Sequence, residues 1–352
     1  MKQVKDFPIR LREARRMMHL SMQQLSDRTG TKVSKQSISF YEQGRVSPKA
    51  AALAALADAL DISEAYFNGT AVTLDVPALR KSIGIKDICD DELQALHARI
   101  SFWAEQYAAA ERRAALSQAA DMPLPSATFT LPIPRRLVST GEEAMLAATD
   151  VRRAWNMGTG PIPSILRLLE RKGIAVMNDA LPDSALGLST WTNTDRPIII
   201  VDMRREKTTV ERLRFTAAHE LAHLLLRFPE EMEEKQKEKL CDKFAGVFLL
   251  PPDTLKEELG TRRSRLVLDE LTDLKQLYGV SVAALVHTAY DLQIIDRQQY
   301  DWWYDERINK NRKETGWGHY SFPETLGREK RIRAIGEEIA ADVLNVIQIA
   351  ET

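Results

Sequence analysis

A chain of 352 residues favours two or three domains over one. With 44% apolar and 28% charged residues, and no stretch approaching 18 consecutive apolar positions, it can build cores and is not expected to span a membrane. Two cysteines, Cys89 and Cys241, exclude a disulfide scaffold and suit a reducing cytoplasm, and the N-terminal "MKQVKDFPIRLREARR" lacks the apolar stretch of a secretory signal. The net charge of −1 conceals an asymmetry: residues 1–60 hold eleven Lys/Arg against five Asp/Glu. That excess suits either a polyanionic partner or a solvated basic face.

Residues 7–67 read as short helices. "PIRLREARRMMHL" has Pro near its start and apolar positions at helical spacing. "SMQQLSDRTG" offers Ser21 as N-cap and Gly30 as stop, and "SKQSISFYEQG" offers Ser34 and Gly44. "SPKAAALAALADALDI" offers Ser47 as N-cap with Pro48 at the first helical position, and "SEAYFNG" closes a fifth helix at Gly69. Over 71–120 a connector carries one long helix, "DDELQALHARISFWAEQYAAAERRAAL". "DMPLPSATFTLPIPRR", with four prolines, is a linker or an extended crossing segment.

A further domain starts near 140. "EEAMLAATDVRRAWNM" and "SILRLLERKG" are helices, and "IAVMN", "ALGLSTW" and "RPIIIVD" are β-rich runs that make a small sheet. "TVERLRFTAAHELAHLLLRF", "EEKQKEKLCDKFAGVFLL" and "RLVLDELTDLKQLYGV" are helical, and "INKNRKETGWGHY" is a loop. The expected class is α+β, mostly α: an all-α N-terminal domain (1–70), a connector (71–139), a domain with a small sheet packed on its central helix (140–265) and a helical C-terminal region (266–352).

The sequence "RFTAAHELAHLLL" holds His219 and His223 four residues apart. On a helix they share a face and can offer two imidazoles to one ion. Glu220, about 100° around the helix, can act as general base without being a ligand. Two ordinary helical histidines are the bland alternative, but an apolar packing flank and a preceding β-rich segment suit a metal site. A zinc peptidase needs a third ligand. Leu226 and Pro229 stand where a metzincin would have Gly and His, so a gluzincin-like carboxylate from a later helix is expected. The candidates are Glu230 to Glu234, Glu238 and Asp242. Most of the "EEMEEKQKEKL" run reads as a solvated face. Glu238 shares the apolar stripe of Cys241, Ala245 and Phe248 and is the best placed, and Asp242 serves as ligand or as a group orienting a histidine.

With these residues assembled, positions 145–300 resemble the ImmA/IrrE family of metallopeptidases through "PIPSILRLLERKGIAV", "RPIIIVD", "ERLRFTAAHELAHLLL", "EKLCDKFAGVFLLP" and "LYGVSVAALVHTAYDLQII". The resemblance implies Zn2+ bound by His219, His223 and Glu238, with Glu220 as base. It also implies cleavage or inactivation of a helix-turn-helix repressor. Ala222 departs mildly from the glycine often found before the second histidine.

Residues 7–67 resemble the Xre/lambda-repressor-like helix-turn-helix domain, through Leu11, Arg12, Leu25, Gly30, Ser37, Ile38, Tyr41, Glu42, Gly44, Pro48, Leu53, Leu56 and Leu60. In such domains the third helix enters the major groove. Lys35 and Gln36 are then suited to base edges, followed by Ser39 and Phe40, whereas Lys32, Arg45 and Lys49 suit phosphates. Two departures are a Gly30–Ser37 segment two residues longer than usual and Met22 where the family usually has Gln. The alternative to DNA binding is a module for dimerisation or for docking another repressor.

The expected partners are double-stranded operator DNA, a regulatory protein as substrate, and a second copy of the chain. Two functions follow. One is a DNA-binding zinc endopeptidase that cleaves a repressor or a toxin-system partner. The other is a transcriptional or antitoxin-like regulator whose zinc domain senses or docks a partner without proteolysis. Isolated His19, His97, His287 and His319 read as ordinary surface or core residues, with His287 the best outsider for oxyanion stabilisation. "YDWWYDE" reads first as packing and second as a recognition surface, and Cys241 reads as a buried, unreactive thiol.

Overall fold

The computed structural model describes residues 6–62, 64–68, 90–116, 129–183 and 185–327. The expected stop at Gly69 and the cysteine Cys89 lie outside the described residues.

The N-terminal helices are α1 (Phe7–Met17), α2 (Met22–Arg28), α3 (Lys35–Glu42) and α4 (Ala50–Leu60), followed by a 3-10 turn over Glu64–Asn68. Ser21 and Gln24 form a reciprocal capping box on α2, and Ser34 caps α3. The expected start of α4 at Ser47–Pro48 is displaced. Lys49 has extended backbone (φ −76°, ψ 161°), no side chain caps the helix, and burial of Ala55, Leu56, Ala57 and Leu60 holds it in place. These helices enclose Leu11, Ala14, Leu25, Ile38, Leu56 and Phe67. Arg15 grips Glu42 through two bonds of 2.6 and 2.8 Å, fixing α1 to the end of α3.

The connector helix α5 (Asp90–Leu116) has two occupied faces. Glu105 pairs with buried Arg10 at 2.8 Å, and Phe102 packs on Tyr66. Leu96, Ile100, Trp103 and Tyr107 pack on Met177, Leu188, Ile198 and Ile200 of the sheet. One helix therefore joins the N-terminal module to the sheet.

Residues 129–135, the described end of the Pro-rich segment, lead into β1 (Arg136–Leu137), which is followed by α6 (Gly141–Ala154) and α7 (Ile165–Arg171). The sheet comprises β2 (Ala175–Asn178), β3 (Gly187–Trp191) and β4 (Pro197–Val201) in the order β2-β4-β3. Strand β2 is parallel to β4 with Val176 opposite Ile199, and β3 is antiparallel to it with Leu188 opposite Ile200. The apolar run of β4 follows from burial on both faces. Ile198 and Ile200 face α5, while Ile199 and Val201 face the larger core.

On that second face lies α8 (Val210–Leu225), which runs into β5 (Leu226–Arg227), a two-residue strand parallel to β1. The short β1–β5 pair had no counterpart in the sequence reading, since two-residue strands have no period. Next come α9 (Glu234–Leu249), α10 (Pro252–Leu259), α11 (Leu268–Tyr278), α12 (Val282–Asp291) and α13 (Arg297–Trp303), then a π-helical turn over Tyr304–Ile308. One apolar cluster runs from Ile133 to Trp317, so the expected boundary at 265/266 falls inside it. Within "YDWWYDE", Trp303 is buried and Tyr300 stacks on Tyr304, whereas Trp302 is exposed.

A segment around 320–327 straps this core from behind. Tyr320 N–H donates to Glu211 at 2.7 Å. Glu324 accepts from Ser164 Oγ and from the N–H groups of Ile165 and Leu166, and pairs with Arg214 of α8. Arg214 has no exposed surface, donates to Ile162 O at 2.8 Å, and lies where a side chain on Gly279 (φ +65°) would collide with it.

Candidate metal centre and DNA-facing helix

Thr209 caps α8 by accepting from Arg212 N–H, and the helix buries Leu213, Ala217, Ala218, Leu221, Ala222, Leu224 and Leu225. Arg212, Phe215, His219 and His223 remain as a stripe at spacings of three, four and four. Helix α9 crosses against α8, burying Leu240, Cys241, Phe244, Ala245 and Phe248. Glu238 and Asp242, one turn apart, stand at the edge of that buried stripe.

The two helices bring these groups to one point. His219 Nε2 lies 3.1 Å from His223 Nε2 and 3.0 Å from Glu238 Oε2, and His223 Nε2 lies 3.3 Å from Glu238 Oε1. On the outer side, His219 Nδ1 meets Asp242 Oδ1 at 2.9 Å. Cys241 Sγ lies 3.6 Å from His223 Nδ1. Each imidazole is thus held by its Nδ1 while its Nε2 is turned inward.

The arrangement fits a bound cation. Two ring nitrogens and a carboxylate converge on one point where positive charge is favoured, and buried Glu238 Oε1, 3.3 Å from His223 Nε2, makes no well-formed hydrogen bond there. The local charges agree. Burial works against the imidazolium, yet Asp242 and Glu238 raise His219 to about 10. Burial would raise Glu238, yet the bonds from His219 and His223 hold it at about 2. Cys241, with His219 and His223, also places ligand atoms within 4.8 Å of one another. Its sulfur, however, abuts Nδ1, the ring nitrogen away from Glu238, and burial followed by the nearby carboxylates pushes its thiol well above the ordinary range. The carboxylate is the better third donor, and the thiol supports the ring.

Glu220 points toward β3. It is 1% exposed, and Ser189 Oγ donates to its Oε2 at 2.7 Å, while Oε1 has no hydrogen-bond partner among the described residues. Gly187 permits this approach, because a Cβ there would overlap Thr216 Cγ2 and lie 3.0 Å from Glu220 Cγ and Oε1. A cavity of about 650 Å³ opens between His223, Ser189, Thr190, Trp191 and Arg227.

Not every expected residue joins the cage. Glu230, Glu231, Glu233 and Glu234 are exposed, and Glu234 pairs with Lys237 at 3.2 Å. His287 is half exposed, 3.4 Å from Tyr300 Oη and 3.6 Å from Asp291, and lines a separate cavity that begins at Asp242. The contacts of Ser189 with Glu220 and of Cys241 with His223 were not foreseen from the sequence, although Cys241 is buried as expected. Each depends on how β3 or α9 packs on α8, which no spacing encodes.

At the N-terminal module, Lys35 and Gln36 are exposed on the first turn of α3, with Ser39 and Phe40 half-buried one turn on. Ser39 Oγ accepts from Gln43, and the Arg45 guanidinium covers the Phe40 ring at 5.7 Å. Lys32, Lys35, Arg45 and Lys49 are exposed and have no ion-pair partner among the described residues. Among the described residues, the α5 contacts fall on α1 and the Tyr66 turn rather than on this face.

Residues 11–67 match the helix-turn-helix family model, and residues 169–290 match a peptidase-family model described as the IrrE N-terminal-like domain. No curated protein matches the chain. Among the described residues, no helix is long and apolar enough to cross a membrane.

Proposed function

We propose that this chain, which joins a helix-turn-helix domain to an IrrE N-terminal-like domain, is a DNA-binding zinc endopeptidase acting on a regulatory protein in the cytoplasm. The reading is carried by one observation: two Nε2 atoms and the Glu238 carboxylate meet within 3.3 Å, with Asp242 behind one ring. His219, His223 and Glu238 would hold Zn2+, in keeping with a three-ligand peptidase site that leaves a position open. When bound, zinc supplies a Lewis acid that polarises a carbonyl and acidifies water.

The chain's own groups supply the rest. Glu220 takes a proton on the oxygen that Ser189 does not engage and returns it to the leaving amine. Asp242 fixes the tautomer of His219 by accepting from Nδ1–H. Trp191 and Thr190, on the edge strand, wall the cavity where a substrate segment would lie. The open face of α3 carries Lys35, Gln36, Ser39 and Phe40 toward bases, with Lys32 and Arg45 on phosphates. DNA tethering would raise the effective concentration of the peptidase near an operator-bound target.

A second reading is a regulator that docks a partner without cutting it. It draws on the burial of Glu220 and its existing bond to Ser189, which suit a base held out of use. Glu220→Gln separates the two. We expect it to retain stoichiometric zinc and operator binding but to lose cleavage of co-purified partner proteins. If regulation in cells persists unchanged in Glu220→Gln, proteolysis is not the function.

A further inference from the structure

We infer that a trough beside the metal cage selects substrates carrying an acidic side chain about three residues from the cleaved bond; this rests on the peptidase reading above. The stripe on α8 sets the direction. Arg212, Phe215, His219 and His223 follow one helix face, so the line from the cage toward the start of α8 passes Phe215 and ends at Arg212.

Phe215 lies 6.4 Å, ring to ring, from His219 and lines two cavities. One, of about 500 Å³, includes Asp242 and is lined mostly by apolar side chains such as Met145, Val247, Leu250 and Leu285, with Lys239, Lys243 and Asp291 as its other charged groups. The other, of about 560 Å³, lies toward the start of α8. Phe215, Val280, Ala283 and Ala284 line both, which makes one trough with an apolar stretch near the cage and a basic far end.

The charge at that end is not locally balanced. Lys207 is engaged by Asp202, and Lys275 by Glu314. Glu211 accepts from Tyr320 N–H, which leaves its negative charge in place. Arg205, Arg212, Arg312 and Lys313 have no side-chain partner among the described residues, and they face two carboxylates without a cationic partner, Glu206 and Glu211, which leaves an excess of two positive charges. Exposed basic residues are usually just solvated. Here four of them come from two separate chain segments, 205–212 and 312–313, and line one concavity, where the positive end of a 16-residue helix adds to their sign.

Arg212 is seven residues from His219, a rise of about 10 Å. An extended chain covers that span in about three residues. A carboxylate at that distance would meet the guanidinium while an apolar neighbour packs on Phe215. Arginine forks suit such carboxylates.

The test uses full-length, zinc-loaded Glu220→Gln chain and fluorescent peptides with a central leucine and Glu, Gln or Lys about three residues to either side, read by anisotropy. The Glu peptide is expected to bind about tenfold tighter than the Gln peptide, with Lys weakest. In a variant also carrying Arg212→Glu and Arg312→Glu the order should invert, a result that loss of fold cannot produce. Both positions are exposed, and a melting curve checks the variant. Equal affinities, an unchanged order after charge reversal, or tight binding of free glutarate or inorganic phosphate that fails to displace the Glu peptide would each overturn the proposal. If wild-type chain leaves bound peptides uncut while the charge order holds, the peptidase reading falls and the trough stands.

Discussion

His219 gathers more of the site than any other residue, with Glu238, His223 and Asp242 all within 3.1 Å of its ring nitrogens. Asp242 touches only the outer nitrogen, so Asp242→Asn should weaken zinc binding about 10- to 100-fold while stoichiometric zinc is still reached at high metal. Competition against a chromophoric chelator measures this; unchanged affinity would make Asp242 a bystander. Gly187→Ala acts from the other side. A methyl there drives into Thr216 and Glu220, so a cost of about 1–3 kcal/mol in thermal unfolding is expected, with loss of cleavage while zinc stays bound. That the two histidines share a face was legible because a spacing of four fixes it on any helix, and that Glu238 comes near them because it shares a stripe with Cys241 and Ala245. Ser189 was not legible, since a serine on a strand gives no sign of the carboxylate above it until the sheet is packed.

At the scale of elements, long and strongly patterned segments were legible, and boundaries set by packing were not. The long connector helix was read over the same residues it occupies, 90–116, and the apolar run of β4 announced a strand. The start of α4 misled because Ser-Pro is a good local signal that backbone at Lys49 does not follow. What the sequence could not convey is that α5 is shared between two cores. Its contact with α1 carries a titratable group. Glu13 is raised to about 7, first by burial and then by Glu105, against the opposing pull of Arg10, Arg16 and Arg12. An acid raised in the folded state holds a proton that the unfolded chain has released, so stability is lost as pH climbs from about 4.5 through 7. Calorimetry between pH 5 and 8 should therefore show a fall of up to roughly 3 kcal/mol that is absent in Glu13→Gln. A variant with the same pH slope as wild type would remove Glu13 from this role.

The α3 face and the His219–His223–Glu238 cluster share no residue, so the two can be perturbed separately. Lys32→Ala should weaken operator binding equally for matched and scrambled DNA and reduce the salt slope by about 1, whereas Gln36→Ala should erode sequence preference and leave the slope intact. Titrations at several salt concentrations decide this, and a Gln36 effect equal on both DNAs would place that side chain off the bases. The segment through Tyr320 and Glu324 carries a different implication. The helix bearing both imidazoles is moored by a carboxylate 110 positions further along the chain, which also crowns the start of α7. Severing the backbone just ahead of Tyr320 would leave His219, His223 and Glu238 in the chain and still strand a guanidinium in the dark interior, its counterion gone. A clip far from the histidine pair would thus unmoor the helix that carries it.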